Sequence, residues 1–369
     1  MTNIQTITEL PEYVAHLPED KRMRFERVFR IDRSTGYCSV PETMRAWVTT
    51  RFGGLETVQH QHVIRVTNLV TFDGALYNPL RRRRSQSFHQ SPPPSDDSFS
   101  QPLLYTAEDK FGRIYGSSCL TASNIAKWDG LCSILIFKDP DVLSFTQESI
   151  RDCLRTSLVW AERAHQYDPE ARYFIWIWNS GAKAGASMAH AHAQMALTRG
   201  MHYAKVEWLR QAALRYSRQH GASFFDDLLA IHEDVGLAFQ AGRLRGFFYL
   251  AAGRPKDTWI YGRAINDDLA DAMYIALKGL VMGCGMQSFN VAILAPPLFP
   301  ESNEEGWAEF PVIVRIGDRG AQNAVTSDIG ALELYAQNVI PEDPFEVMAA
   351  WQHHRAETNY QAVLHSAIA

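Results

Sequence analysis

The stretch RYFIWIWN, residues 172–179, runs directly into NSGAKAGASMAHAHAQMAL, residues 179–197, and together they decide how the chain is read. The first block is aromatic and β-branched, the composition of a buried strand. Gly181 and Gly185, set among small residues, then break it with a turn, because glycine reaches backbone angles that other residues avoid. In the second block His190, His192 and Gln194 recur at every second position. Residues two apart share one face of a strand, so these three project together while Ala191, Ala193 and Met195 face the other way. The spacing predicts a strand over 188–197, and the unit is strand, glycine turn, strand. Its small alanines let another layer lie close behind.

Working outward, residues 10–50 are charged and partly helical in pattern. Residues 62–72 alternate as a strand that ends at Asp73-Gly74, the signature of a hairpin. Four arginines, residues 81–84, lead into a Pro/Ser/Asp-rich tract, residues 85–101, with little to bury, which predicts a loop. Residues 131–137 form a short apolar run. Ile150, Cys153, Leu154, Leu158 and Trp160 give residues 147–166 the spacing of a helix. Beyond the glycine turn, helices are predicted over 206–219 and 226–240, strands over 246–251 and 258–261, a helix over 267–283, strands over 288–294 and 310–316, and a last helix after Pro344. The pattern is α+β, antiparallel sheets with packed helices, in two halves that meet near residues 200–245. No repeat is visible in the letters. The organisation expected is a diverged segment 1–59, a half 60–204 carrying the histidines, and a second half 205–369.

Composition narrows the function classes. A chain of 369 residues with 46% hydrophobic content has ample material for a core. Its net charge of −5 gives no general attraction to nucleic acid or an anionic membrane, and the four arginines stand without interleaved aromatics. Neither nucleic acid nor membrane is expected as a partner. The first 33 residues lack the apolar stretch of a signal peptide, and no run has the length of a membrane span. Five cysteines are sparse and odd in number, which argues against a disulfide framework, so the cytoplasm is the expected location.

A His-x-His pair on a strand has three readings. It can be a half-buried polar face; it can ligate zinc or iron, although no adjacent acid or cysteine completes a set; or an imidazole can attack phosphorus and carry a nucleotidyl group while its neighbours bind the phosphate oxygens. The ordered cluster Asn179, Gly181, Gly185, Ala186, Ser187, His190, His192, Gln194 resembles the active-site segment of the galactose-1-phosphate uridylyltransferases and their relatives in the histidine-triad superfamily, among them the dinucleoside polyphosphate phosphorylases. TNLVTFDGALYNPLRRRRS, residues 67–85, TASNIAKWDGLCSILIF, residues 121–137, and SFNVAILAPP, residues 288–297, resemble further segments of that family, so the likeness spans roughly residues 60–350 with gaps.

The resemblance implies a duplicated histidine-triad-like fold and a nucleotidyltransferase in which His192 is the nucleophile toward a nucleoside diphosphate sugar or a nucleoside triphosphate. A sugar 1-phosphate or phosphate would then take the nucleotidyl group. Gln194, Ser187 and the backbone amides of the glycine-rich turn would donate to phosphate oxygens, with His190 supporting the nucleophile. Asn179, Gly181, Lys183 and Gly185 form the rest of the candidate binding set, and Arg81 and Arg84 fit the family's pair of arginines three apart. The alternative within the family is a phosphorylase or hydrolase acting on an ADP-sugar or a dinucleoside polyphosphate. A non-catalytic nucleotide-binding protein is the contrasting class. Many uridylyltransferases hold a structural zinc, but this chain has no Cys-x-x-Cys and carries Ala191 where the family has proline, so no cofactor or metal is expected; His60 and His62 are the only substitutes in view. The resemblance also implies a homodimer.

Overall fold

The computed structural model describes residues 4–37, 42–78, 98–124, 129–301, 306–322, 332 and 337–358. Helices α1 (Leu10–Ala15) and α2 (Glu19–Val28) lead into strand β1 (Phe29–Tyr37). Helices α3 (Glu42–Phe52) and α4 (Leu55–Gln59) lead into the hairpin of β2 (His60–Asn68) and β3 (Gly74–Tyr77). After α5 (Pro102–Tyr105) come β4 (Cys119–Ser123), β5 (Leu131–Phe137), α6 (Gln147–Tyr167), β6 (Ala171–Ser180) and β7 (His192–Arg199). Helices α7 (Ala204–His220) and α8 (Phe224–Asp234) precede β8 (Ala238–Ala241), β9 (Leu244–Phe248), β10 (Thr258–Gly262), α9 (Asp267–Lys278), β11 (Phe289–Leu294) and β12 (Val312–Asp318); β13 (Gln337–Ile340) and α10 (Pro344–Thr358) follow.

The strands form two sheets. The larger has the order β4-β5-β7-β6-β11-β12-β10-β9-β8, and the smaller β1-β2-β3-β13, parallel only between β3 and β13. The larger sheet contains a repeat that the letters hide. The order β4-β5-β7-β6, with α6 inserted before β6, recurs as β9-β10-β12-β11, with α9 inserted before β11. The two copies join where β6 and β11 pair antiparallel. The fold is thus α+β and duplicated, as expected.

The two faces of this sheet have different fates. Trp176, Trp178, Ala193, Met195, Val291 and Ile293 point to one side and enter the main core, where α6 and α9 pack. Helix α6 starts at a capping box, with the Thr146 and Ser149 side chains each accepting from the other's backbone amide. Its Ser157 hydroxyl takes the Trp176 indole N–H at 3.1 Å, so the tryptophan leaves no buried donor unpaired. On the other face, the second half is covered. His232 of α8 stacks on Phe247, while Asn68 and Tyr77 of the smaller sheet bond Tyr249 and the Leu250 carbonyl. Among the described residues, the first half shows there two small clusters, Phe99 with Ala122 and Ile136, and Cys132 with Ile175 and Ala196. That is the side to which His192 and Gln194 point.

Three expectations need correction. The strand predicted over 188–197 begins only at His192, because the preceding residues belong to the turn. The helix predicted over 226–240 ends at Asp234: Gly236 takes a positive φ of 80°, and the chain turns into the β8–β9 hairpin across Gly242 at φ 60°. Within the charged region 10–50, residues 29–37 are a strand paired with β2.

Candidate active site

The strand pairing explains why the polar residues meet. Trp178 lies opposite Ala193, so the next step along the same ladder sets Asn179 beside His192. Asn179 in turn lies opposite Asn290 of β11, and Ile136 of β5 opposite His192. His192, Asn179 and Asn290 therefore form a row across three neighbouring strands on one face, each about 4.8 Å from the next. Gln194, two residues along β7, shares that face and is half-buried.

The ring of His192 is nearly covered, at 3% exposure. Its Nδ1 lies 2.8 Å from the backbone carbonyl of His190. A carbonyl only accepts, so Nδ1 must carry the proton, and in the neutral ring the lone pair resides on Nε2. Burial holds the pKa of this imidazole below its ordinary value; the His190 carbonyl opposes the shift without cancelling it. The side chain is therefore a neutral imidazole of defined tautomer at neutral pH.

His190 is not part of the strand. Its Nε2 donates to the Phe137 carbonyl at 2.8 Å, and the adjacent Ala191 amide donates to the Pro140 carbonyl while its own carbonyl accepts from Phe137. His190 is thereby pinned to the end of β5, and its own carbonyl is left to orient His192. Phe99 stands edge-on to both rings, with centroids 5.2 Å from His192 and 6.1 Å from His190. The expectation that residues 85–101 have little to bury fails at this position: Phe99 is 8% exposed and covers the histidines.

Gly181, at φ 87°, and Gly185, at φ 90°, frame a single 3₁₀ turn, Ala182–Ala184. Both angles lie where an L side chain is strained, which is why glycine stands there. The amides of Ala184, Gly185 and Ala186 close the turn onto the carbonyls of Gly181 and Ala182, so these three do not serve as anion donors. Gly185 and Ser187 are exposed and Lys183 half-buried. Arg81 and Arg84 lie outside the described residues.

Three site residues escaped the sequence reading. Phe99 sits in a polar tract that reads as loop. Asn290 donates from Nδ2 to Asn179 Oδ1 at 2.7 Å and to the Ala184 carbonyl at 2.8 Å, and Arg319 Nε donates to Asn290 Oδ1. A polar residue inside the apolar run SFNVAIL is the one signal that marks Asn290.

The described residues do not fit a zinc site. Among them no three His, Cys, Asp or Glu side chains cluster as ligands would. His190 commits Nε2 to a carbonyl, and His60 and His62 fall on β2, in the other sheet. Nor is any helix among the described residues long and apolar enough to cross a membrane.

No protein family matches the chain by sequence, and neither does any curated protein. Solved structures do match its fold. An ADP-glucose phosphorylase from Arabidopsis thaliana, solved with bound ADP-glucose, has a TM-score of 0.59 at 17% identity, covering 76% of this chain and 95% of that chain. A GalT-like protein from Arabidopsis thaliana has a TM-score of 0.57 at 15% identity, covering 77% of this chain and 97% of that chain. A uridylyltransferase has a TM-score of 0.55 at 17% identity, covering 79% of this chain and 98% of that chain. The chain therefore has the duplicated fold of the uridylyltransferase-like proteins.

Proposed function

We propose that this chain, built on the uridylyltransferase-like fold, is a nucleotidyltransferase that carries a nucleoside monophosphate group on His192 between a nucleoside diphosphate sugar and a sugar 1-phosphate. The observation that carries the reading is the 2.8 Å bond from His192 Nδ1 to the His190 carbonyl, which leaves the Nε2 lone pair for attack on phosphorus. In the first step the Nε2–P bond forms as the bond from the α-phosphorus to the bridging oxygen breaks, and sugar 1-phosphate leaves. In the second, an oxygen of the acceptor phosphate attacks the same phosphorus and the imidazole departs with its electron pair. The N-phosphoryl ring is an imidazolium, and the Nδ1–H to carbonyl bond strengthens as that charge develops. Burial serves the first step by keeping the ring unprotonated.

Gln194 shares the His192 face, and its amide donates to a non-bridging oxygen; removing one such donor typically costs about 10²–10³-fold in rate. Asn179, beside His192 in the row, and Lys183 and Ser187 in the turn complete the phosphate contacts, with Arg81 and Arg84 as further cations. Phosphorolysis is the second reading, favoured by the fold shared with an ADP-glucose phosphorylase. It shares the first step and differs only in taking inorganic phosphate as acceptor.

Intact-protein mass spectrometry after incubation with UDP-, GDP-, ADP- and dTDP-sugars tests the covalent step. The native chain should gain the mass of one nucleoside monophosphate, which names the base, and His192→Ala should gain none. Donor binding without an adduct on the native chain would overturn covalent catalysis. Discharge of the adduct by a sugar 1-phosphate or by phosphate then separates the two readings.

A further inference from the structure

We propose that Asn290, oriented by Arg319, is a positioning residue through which the second half of the chain holds the glycine turn and Asn179 in register with His192; this rests on the covalent role proposed for His192. Both Nδ2 hydrogens of Asn290 are spent on the first half, one on Asn179 Oδ1 at 2.7 Å and one on the Ala184 carbonyl at 2.8 Å. An amide could be turned end for end with little change of shape, but here the choice is fixed. Arg319 Nε only donates, so it must meet Oδ1, and Nδ2 must face the turn. Asn290 lies two strands from His192 in the row, about 10 Å away at ordinary strand spacing. It acts on the reaction through Asn179 and the turn, not by touching phosphorus.

Arg319 is itself held. Its amide donates to the Ser288 carbonyl at 2.8 Å, just before β11. Its neighbour Asp318 accepts from Lys256 Nζ at 2.6 Å and from the Gly320 amide at 2.7 Å. Lys256, 9% exposed and at a positive φ of 53°, also reaches Glu342 at 2.7 Å, beyond β13. The end of β12 that presents Arg319 is thus tied to both sheets, by a buried ion pair of Lys256 with Asp318 and a half-buried one with Glu342. Breaking one member of such a network leaves a charge without its partner, so the segment has one arrangement. Within the glycine turn the amides of Ala184, Gly185 and Ala186 bond carbonyls of the turn itself, and Asn290 adds a tie from the second half. Asn290 connects the rigid end to the turn.

Asn290→Asp keeps the shape and the pairing with Arg319 but puts acceptors against two acceptors, Asn179 Oδ1 and the Ala184 carbonyl. Asn290→Ala removes the side chain and covers the case in which the aspartate variant folds poorly. Two readouts are needed: amide hydrogen exchange of peptides covering residues 181–187, and the saturating rate and donor half-saturation of adduct formation on His192. Both variants should exchange in the turn at least about tenfold faster and lose about 10–100-fold in the saturating rate, the scale of a misplacement near one ångström, with half-saturation changed less than threefold. Unchanged exchange would overturn the clamp. Faster exchange with an unchanged saturating rate, or a loss confined to half-saturation, would overturn the positioning role. If the native chain forms no adduct, the covalent reading fails and the positioning role with it, whereas the exchange data still report whether the clamp exists.

Discussion

At the scale of single residues, the proposed chemistry depends on keeping one imidazole neutral and aimed. Phe99 and the sheet bury His192, and burial is the main cause of its lowered pKa. The acidic limb of the second-order rate of adduct formation, which reports the free protein, should therefore fall below the ordinary histidine value. Phe99→Ala admits water and favours the charged ring, so the limb should move up toward that value. A limb unmoved by the substitution, measured from pH 5 to 8, would mean that Phe99 does not set the environment of His192. The histidines, Gln194 and Asn179 were legible in the sequence because strand periodicity and a glycine turn gather them within 16 residues of one another. Phe99 and Asn290 were not, because nothing local records a contact across 93 or 111 residues. Asn290 has a use only once β6 and β11 are paired.

At the scale of elements, α8 shows how a histidine can be structural in the same chain. His232 is fully buried; its Nδ1 donates to the Leu228 carbonyl at 2.7 Å, and its Nε2 accepts from the Leu250 amide at 3.1 Å. It ties α8 to the chain just beyond β9. Desolvation lowers its pKa to about 3, against about 6.5 for an exposed histidine. The sign follows: stability is undiminished above pH 6.5, falls as the unfolded chain gains a proton below that, and levels off beneath about 3, a loss on the order of 4–5 kcal/mol at about 1.4 kcal/mol per unit. Asp343, pushed up to about 6 by burial, works oppositely, contributing stability below its unfolded value near 3.8 that is lost as pH rises through about 6. The comparison of native chain with His232→Gln cancels the Asp343 contribution. In urea unfolding, the variant should lose about 1–3 kcal/mol at pH 7 and show a weaker loss between pH 6 and 4. Parallel curves would show that His232 does not titrate with unfolding. The element itself was legible, but not its end: the acidic, apolar run into residues 235–240 keeps helical spacing, and only Gly236 and Gly242 mark the hairpin that replaces it.

At the scale of the whole molecule, the duplication is a matter of strand order and not of letters. Sheet cores accept one apolar residue for another, so two copies keep their pairing long after their sequences part. The residues proposed to carry chemistry show how far the copies have diverged. Strand β7 opens on His192, whereas β12, in the matching place on the same face, carries Ile313. The connection before β7 holds the glycine turn and His190; the one before β12, residues 295–311, contains no histidine. The surfaces differ in the same sense. The first copy leaves the His192 face under small clusters, and the second lays Trp259, Phe247 and Ile313 on that face beneath α8 and the smaller sheet. In the proposed site the second copy contributes support, through Asn290 and Arg319. One chain should therefore bind one nucleotidyl group. Titrating the native protein with increasing excess of the active donor should bring the adduct to a limit of one nucleoside monophosphate per chain, all of it abolished in His192→Ala. A second addition, or one that survives the substitution, would place another nucleophile on the chain and break the division of labour between a reacting half and a supporting half.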